Sequence, residues 1–310
     1  MSTHVVAVES KPWQGIGFVL LGVILFSIQD VIVKQISGNY PVHEIVWFRS
    51  VVALLLLLAA VRFSGNWAQL RTKRLGKQMV RGFLMLLSYI TYYLAIAALP
   101  LADAIALYFV APLFVTVLSV LILRERIGQR QWLALACGFV GMLVILRPGT
   151  AVFQPIALMS LLAALTYAGS IILNRQLSTT ESGMSLAIYA TLVYLVVTAL
   201  VGLIWGRGVA IESHHPSLQF LARAWILPNF TDAVLISITG LIAAIGFFAL
   251  AQAYRLAEAT TVAPFEYVML LMGVIWGFVF WHEVPDLFAV VGMLLVVSSG
   301  IILLPRRKAR

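Results

Sequence analysis

Three tyrosines fall within one apolar run: Tyr89, Tyr92 and Tyr93. On a helix Tyr89 and Tyr93 share a face, and Tyr92 extends that face. The run ends near Leu99, so at helical rise Tyr89 lies about 15 Å from that end. A phenol combines an apolar ring with a hydroxyl that donates and accepts hydrogen bonds. Tyrosines at this depth fit a ligand-binding cavity better than an aromatic belt at a membrane interface.

A second polar face recurs in a later run, where Thr166, Ser170 and Asn174 follow at i, i+4 and i+8 with Tyr167 beside them. Polar side chains stacked on one face of an apolar helix are expected to point away from lipid. Small residues of the same run equally favour close packing between helices. Ligand binding and packing therefore both remain open for Tyr167 and Asn174. The amide of Gln252, in another apolar run, is expected to face the protein interior.

The stretch VAPFEYV contains an acid within an apolar run. Glu266 stands about eight residues from the nearer end of that run, or about 12 Å at helical rise. A carboxylate at that depth is costly unless it is paired, hydrated or protonated. Pro264 weakens the helix nearby and frees a backbone carbonyl. Glu266 is thus a candidate for binding a substrate ammonium or taking up a proton; a structural hydrogen bond from its protonated form is the alternative.

Three charged residues stand near the other end of the first two apolar runs. Asp30 and Lys34 are one helical turn apart, and Arg49 lies in the next run. All three are within about two turns of a helix end, Arg49 being the deepest. We interpret them as ion pairs at a membrane interface. The alternative is an outer gate whose charge pairs reorganise between conformations.

No arrangement of residues typical of an enzyme is visible. The patterns G-x-S-x-G and H-E-x-x-H are absent from the sequence. The segment ESHH at 212–215 contains residue types that bind metals, but no further cluster of such residues accompanies it, so no metal site is expected. Cys137 is the single cysteine, which excludes an intrachain disulfide. No ATP-binding motif is present, and we expect no cofactor.

Composition places the chain among membrane proteins. Hydrophobic residues make up 62% and charged residues 11% of the 310 residues, and the mean hydropathy is +1.01. A soluble domain carries about 25% charged residues. Apolar runs of about 20 residues recur, each long enough to cross a bilayer as a helix. Ten spans are predicted, at roughly 13–35, 42–62, 79–99, 101–123, 130–147, 154–176, 184–205, 232–254, 258–281 and 286–304.

The net charge of +9 is distributed as in cytoplasmic loops rather than as on a nucleic-acid-binding surface. With the N-terminus in the cytoplasm, 16 of the 21 Lys and Arg residues fall on the cytoplasmic side. Many of them lie between Arg62 and Arg81 and in the tail PRRKAR. An excess of Lys and Arg marks cytoplasmic loops. We therefore expect both termini in the cytoplasm, a first span that is retained rather than cleaved as a signal, and no nucleic-acid partner.

A sequence segment in the first half of the chain recurs, with similar residues, in the second half. YYLAIAALPLADA begins at Tyr92 and FFALAQAYRLAEA begins at Phe247. Asp103 and Glu258 occupy matching positions, each in the first turn of a following helix, where the helix dipole favours an acid. Five spans in each half mean that the second repeat enters the membrane inverted, an arrangement typical of secondary transporters. The predicted repeats are residues 1–150 and 151–310.

The sequence resembles the drug/metabolite transporter superfamily, and within it the proteins with paired EamA-type domains. The resemblance is carried by FRS in the second span, LPLADAIALYFVAPLF followed by RERIG, LRPG after the fifth span, and AEATTVAPFEYV followed later by WHEVP. It implies ten helices, both termini in the cytoplasm, and a central cavity lined mainly by spans 1, 3, 4, 6, 8 and 9. Size and aromatic-rich inner spans are most similar to YddG-like exporters of aromatic and other neutral amino acids.

The expected function is export of a small metabolite, with aromatic and neutral amino acids first, by alternating access around a central cavity. S-adenosylmethionine, sugars, nucleotide-sugars and cationic drugs are alternative cargos; a lipid flippase or a membrane-embedded enzyme is less favoured. We expect a monomer in a bacterial inner membrane, in contact with the bilayer and a small-molecule substrate. The residues expected to bind substrate are Tyr89, Tyr93, Tyr108, Tyr167, Asn174, Gln252, Glu266, Tyr267 and Trp276. Those expected to form gating or structural ion pairs are Asp30, Lys34 and Arg49.

Overall fold

The computed structural model describes residues 12–150, 153–177, 180–209, 214–257 and 259–303, and all regular structure in these segments is helical. Nine helical segments of the described residues are long and apolar enough to cross a membrane, and one further apolar helix is shorter. The expectation of an all-helical membrane protein is confirmed. The helices are α1 (Pro12–Ile36), α2 (Val42–Ser64), α3 (Leu75–Ile96), α4 (Leu101–Tyr108), α5 (Ala111–Leu123), α6 (Gln129–Leu146), α7 (Ala157–Leu177), α8 (Gly183–Trp205), α9 (Pro216–Ala222), α10 (Phe230–Leu256), α11 (Ala259–Glu266), α12 (Val268–Trp281) and α13 (Leu287–Leu303).

The predicted fourth and ninth spans are each divided into two helices. α4 ends at Tyr108, four residues before Pro112, and the ring of a proline clashes with the carbonyl four residues earlier in a helix. α11 contains Pro264 and gives way to α12 at Tyr267. The two breaks meet, because the ring centroids of Phe109 and Tyr267 lie 5.4 Å apart. Backbone irregularity is thus concentrated at one place in the bundle.

Several sequence-based expectations concern helix ends and loops. Asp103 lies in the first turn of α4, as the repeat predicts. Its counterpart Glu258 lies outside the described residues, as do Lys11, the basic tail and the first two letters of ESHH. Within the described segments, no group of three or more His, Cys, Asp or Glu side chains could hold a metal ion.

The two halves of the chain interlock. The most extensive helix pairs include α1 with α10, α2 with α8, α3 with α7 and α6 with α13. Each pair joins a helix from residues 1–150 to a helix from residues 151–310. The main hydrophobic core likewise contains buried side chains from both halves, such as Tyr93 and Met293. Among the described residues, both hydrophobic clusters contain side chains of the two halves.

Glycines bring α6 and α13 into close contact. A Cβ at Gly141 would lie 2.8 Å from Leu295 Cβ and 2.9 Å from the Gly292 carbonyl oxygen. A Cβ at Gly292 would lie 2.8 Å from the Gly141 carbonyl oxygen. Small residues let membrane helices approach closely and gain van der Waals contact, which drives their association. The two helices therefore pack backbone against backbone at this point.

Gly141→Ala should destabilise the protein, because the added methyl group requires the α13 backbone to move. We expect a loss of about 1–3 kcal/mol from overpacking, visible as a lower Tm of the purified protein. Gly17→Ala is the matched control, since Gly17 lies within α1 and a Cβ there meets nothing within 4 Å. The control should keep or raise the Tm, because alanine is the better helix former by about 1 kcal/mol. Equal Tm values for the two variants would contradict the close approach.

Candidate functional site

Six tyrosines from four helices form a continuous group, called the tyrosine cluster below. They are Tyr89, Tyr92 and Tyr93 of α3, Tyr108 of α4, Tyr167 of α7 and Tyr194 of α8. Ring centroids lie 6.4 Å apart for Tyr194–Tyr89, 4.3 Å for Tyr89–Tyr93, 5.2 Å for Tyr93–Tyr92, 4.7 Å for Tyr92–Tyr108 and 5.7 Å for Tyr108–Tyr167. Such separations are those of interacting aromatic rings. Phenol rings and hydroxyls from separate parts of the chain are therefore concentrated in one region.

The carboxylate of Asp30 joins α1 to the tyrosine cluster. Its Oδ1 accepts a hydrogen bond from the Tyr93 hydroxyl at 2.8 Å, and its Oδ2 accepts one from the Tyr92 hydroxyl at 2.8 Å. Gln29 Nε2 donates to the Tyr93 hydroxyl at 2.9 Å. Asp30 is 3% exposed, and burying a carboxylate is unfavourable unless hydrogen bonds of this kind satisfy it. This acid is thus held inside the bundle by two tyrosine hydroxyls.

Arg49 of α2 places its guanidinium against the same cluster. Its Cζ lies 4.3 Å from the centroid of the Tyr89 ring, which is a cation–π contact. Arg49 is 6% exposed. Neither its Nη1 nor the Tyr89 hydroxyl makes a hydrogen bond of good geometry in the described part of the chain, although both atoms are buried and the two groups interact electrostatically. A buried guanidinium and a buried carboxylate therefore both adjoin the tyrosine cluster.

One end of the bundle is closed by an ion pair between distant parts of the chain. Lys34 Nζ lies 2.6 Å from Glu283 Oε1 and donates to the Leu99 carbonyl oxygen at 2.8 Å. The Leu101 N–H donates to Glu283 Oε2 at 2.8 Å. These contacts tie together α1, the α3–α4 turn and the loop after α12; we call this end the closed face. Lys34 is one turn from Asp30 in sequence, but its carboxylate partner is Glu283.

A second ion pair at the closed face joins the end of α6 to the start of α13. Arg147 Nη2 donates to both carboxylate oxygens of Asp286. Asp286 Oδ1 also accepts the Ala289 N–H at 2.9 Å and so caps α13. The Arg147 guanidinium, and after it the Ala289 N–H, hold the pKa of Asp286 below its ordinary value. A cavity of about 200 Å³ beside the pair also borders Asp103.

Two further candidates make contacts between helices. Trp276 Nε1 donates to Ser27 Oγ at 3.1 Å, which links α12 to α1 close to Asp30. The Tyr267 ring packs against Phe109, and its hydroxyl lies against α13, where a Cβ at Gly300 would be 1.3 Å from it. The side chain of Tyr267 therefore occupies space that is free because residue 300 is a glycine.

The remaining candidates lie toward the end of the bundle opposite the closed face. Asn174 and Gln252 stand within about one turn of the ends of α7 and α10, two helices that begin at the closed face. Asn174 Oδ1 is buried and has no hydrogen-bond partner among the described residues. Glu266 ends α11, is partly exposed, and interacts electrostatically with Tyr167 and Tyr267. Glu266 is thus the candidate acid that approaches the tyrosine cluster from this side.

Four residues of this region are not identified by sequence reasoning: Gln29, Tyr194, Glu283 and Arg81. Gln29 carries a usable signal, since an amide beside an intramembrane acid is unusual. Tyr194 shares its apolar run with Tyr189, but a spacing of five residues puts the two on different faces of a helix. No local pattern pairs Glu283 with Lys34. The charge count assigns Arg81 to the cytoplasmic side, but the structure buries it to 9% exposure. There its Nη1 donates to a backbone carbonyl of α8 at 3.0 Å.

The sequence profile of the EamA-like transporter family matches residues 13–147 and again residues 154–304. The chain belongs to the EamA-like transporter family. The resemblance noted from the sequence is therefore confirmed, and the family is one of transporters rather than enzymes. A solved crystal structure of another protein matches the fold with a TM-score of 0.61 and 14% identity, covering 93% of this chain and 95% of the other. At that identity the likeness concerns the fold alone.

This EamA-like transporter is similar over nearly its whole length to carriers of different small molecules. It is 31% identical over 297 residues to the pseudopaline exporter CntI of Pseudomonas aeruginosa, with 95% of this chain and 97% of the relative covered. It is 28% identical over 294 residues to the S-adenosylmethionine uptake transporter of Rickettsia prowazekii, with 95% and 93% covered. It is 26% identical over 297 residues to a riboflavin transporter of Vibrio cholerae, with 94% and 93% covered. The chain is a small-molecule transporter embedded in a membrane.

Glu283→Gln should destabilise the closed face, because it leaves the Lys34 ammonium, 7% exposed, without its anion. Removing one partner of a buried ion pair costs about 3–5 kcal/mol, so the Tm of the purified protein should fall clearly. The double variant Lys34→Met/Glu283→Gln should recover part of the loss, since no charge is left unpaired.

The matched control for this pair is Glu125→Gln. Glu125 pairs with Arg175 at 3.5 Å, and both side chains are about half exposed, at 49% and 50%. An exposed pair contributes less than about 1 kcal/mol, so the control should leave the Tm nearly unchanged. If the loss of stability in the Lys34→Met/Glu283→Gln double variant equals the sum of the losses in the two single variants, the pairing is contradicted.

Proposed function

We propose that this EamA-like transporter exports aromatic and neutral amino acids across a bacterial inner membrane. The observation that carries the proposal is the tyrosine cluster, which adjoins the buried carboxylate of Asp30 and the buried guanidinium of Arg49. Phenol rings supply apolar contact that tolerates different side chains, and their hydroxyls supply polar contacts. Opposite charges in one region suit a substrate that carries both an ammonium and a carboxylate.

The proposed mechanism is alternating access, and two features of the bundle support it. The closed face depends on the Lys34–Glu283 pair, so opening this side requires that pair to separate. The breaks in the α4–α5 and α11–α12 segments offer hinges, since discontinuous helices are typical of the sites of secondary transporters. The rings of Phe109 and Tyr267 connect the two breaks, so a movement at one break would reach the other.

The proposed orientation puts the closed face outside the cell and both termini in the cytoplasm. The excess of Lys and Arg at the opposite end supports it. In this orientation residues 1–150 and 151–310 are inverted repeats of five spans each, and Glu266 faces the cytoplasmic half of the pathway. Because one chain supplies both halves, the proposed functional unit is a monomer.

S-adenosylmethionine is the second candidate substrate, supported by the relative that takes it up. It carries the same ammonium and carboxylate as an amino acid, an adenine ring that would stack on phenols, and a sulfonium charge. Glu266, which interacts electrostatically with Tyr167 and Tyr267, would place a carboxylate on the path of that charge. The pseudopaline exporter supports export as the direction, whereas the S-adenosylmethionine relative supports uptake.

Counterflow into liposomes tests the proposal. Purified protein in liposomes loaded with unlabelled L-phenylalanine should accumulate labelled L-phenylalanine and L-leucine faster than protein-free liposomes. The same liposomes loaded with S-adenosylmethionine, a sugar or a nucleotide-sugar separate the other cargos. Counterflow of one of those compounds, with none of any amino acid, would reject the amino-acid proposal.

Glu266→Gln separates the two leading cargos at a single residue. A neutral amino acid carries no second positive charge for Glu266 to contact, so its counterflow should stay near the wild-type rate. Binding of S-adenosylmethionine should weaken about tenfold, equivalent to about 1.4 kcal/mol for a lost charge contact. Glu125→Gln, at an exposed acid, is the control and should change neither. Loss of phenylalanine counterflow in Glu266→Gln alone would show that this carboxylate serves the amino-acid substrate as well.

A further inference from the structure

Three buried polar atoms around one pair of tyrosines lack hydrogen-bond partners in the described part of the chain. They are Arg49 Nη1, the Tyr89 hydroxyl and Gln29 Oε1. The guanidinium lies 4.3 Å over the Tyr89 ring, that ring lies 4.3 Å from the Tyr93 ring, and Gln29 Nε2 is 2.9 Å from the Tyr93 hydroxyl. Buried polar groups are nearly always hydrogen-bonded to protein, water or ligand, so three that the chain leaves unpartnered in one region mark a place where another molecule can bind.

The chemistry of these atoms divides them into two kinds. Arg49 Nη1 is a donor, and the Tyr89 hydroxyl can donate, so together they suit a carboxylate. Gln29 Oε1 is an acceptor, and beside it the carboxylate of Asp30 has lone pairs left after binding Tyr92 and Tyr93. An ammonium donates three hydrogen bonds and suits this second pair. The two kinds of group are joined through Tyr89 and Tyr93, which share one face of α3.

We infer that Arg49, Tyr89, Gln29 and Asp30 form the site for an α-amino acid head group. Arg49 and Tyr89 bind its carboxylate, and Gln29 and Asp30 bind its ammonium. The inference rests on the proposed function and makes it more specific, because it assigns the ends of the substrate to named atoms. It also gives Asp30 and Arg49 a binding role in place of the gating or ion-pairing role that their sequence positions suggest.

The other buried cations include Lys34, which also lies over an aromatic ring, that of Trp281, and Arg81, whose Nε has no hydrogen-bond partner in the described part of the chain. Lys34 is held by Glu283, and Arg81 Nη1 donates to a backbone carbonyl of α8. The Arg49 guanidinium rests on an aromatic face, which stabilises a cation without using its N–H groups. A guanidinium presents five N–H groups in a fork that matches a carboxylate. A substrate carboxylate would thus supply the Arg49 guanidinium with a negative charge and with acceptors for its N–H groups.

The rest of the tyrosine cluster would then contact the variable part of the substrate. Tyr92, whose hydroxyl donates to Asp30, and Tyr108 continue the row of rings beyond Tyr93, with centroids 4.7 Å apart. Aromatic faces discriminate weakly between apolar groups, whereas buried hydrogen-bonding groups reject ligands that leave them unpaired. The substrates should therefore share an unmodified α-ammonium and α-carboxylate and differ in side chain.

Three ligands of nearly equal size test the assignment by binding to the purified full-length protein. L-phenylalanine carries both charged groups, phenethylamine lacks the carboxylate, and 3-phenylpropanoate lacks the ammonium. The wild type should bind L-phenylalanine about ten- to a hundredfold more tightly than either analogue, as expected for lost hydrogen bonds to a charged group. Titration calorimetry measures the three affinities.

Substitutions should remove one preference at a time. Arg49→Gln should abolish the preference for L-phenylalanine over phenethylamine and keep the preference over 3-phenylpropanoate. Asp30→Asn should do the reverse. Tyr89→Phe removes a single hydroxyl and should weaken both carboxylate ligands several-fold while leaving phenethylamine unchanged; it decides the matter if Arg49→Gln does not fold. Arg223→Gln is the control, because the Arg223 Nη1 donates to the Ser37 carbonyl oxygen at 2.8 Å and has no place in the tyrosine cluster, and it should keep all three ratios.

The outcomes separate the head-group site from the proposed function. If Arg49→Gln, or Tyr89→Phe in its place, weakens all three ligands equally or not at all, the carboxylate assignment is wrong even if amino acids are transported. If the wild type binds 3-phenylpropanoate but no amino acid, the proposed function fails and the carboxylate site stands. If it binds only S-adenosylmethionine, the affinities of S-adenosylmethionine and decarboxylated S-adenosylmethionine replace those of L-phenylalanine and phenethylamine as the test of the carboxylate site. Equal affinity for those two compounds would overturn the head-group site.

Discussion

A bilayer offers no water to a charged side chain, so every charge inside the bundle depends on a partner supplied by another part of the chain. Asp30 meets this requirement through two tyrosine hydroxyls of α3, and Lys34 meets it through Glu283. These contacts fix the position of α1 against α3 and close one end of the bundle. The positions of the remaining helices follow from close packing around that centre.

Tyrosine lets one helix serve both packing and polar recognition. The α3 rings pack against each other at tilted and edge-on angles and against rings from neighbouring helices, while their hydroxyls reach Asp30 and Gln29. The breaks after Tyr108 and at Tyr267 add backbone irregularity beside the same region. A region that is aromatic, polar and irregular at once can be stable and still adapt to a ligand, because its contacts are many and individually weak.

The sequence allows the helices to be predicted because the length of an apolar run is a local property. Span 13–35, for example, corresponds to α1 at Pro12–Ile36. The prolines at 112 and 264 indicate local distortion, but the contact between the two breaks depends on three-dimensional packing. The same limit applies to the site: Tyr89 and Tyr93 follow from helical spacing, whereas the pairing of Lys34 with Glu283, 249 residues away, has no local signature.

The interlocking of the two halves has a consequence for biosynthesis. Ribosomes deliver residues 1–150 to the membrane before the helices that pair with them exist, and α1, α2, α3 and α6 each pack extensively against a helix made later. During that interval Lys34 lacks its partner Glu283, and lipid or the insertion machinery must cover the faces that α7, α8, α10 and α13 will occupy. The contact between α6 and α13 can form only after α13 has entered the membrane, so the bundle closes late in synthesis.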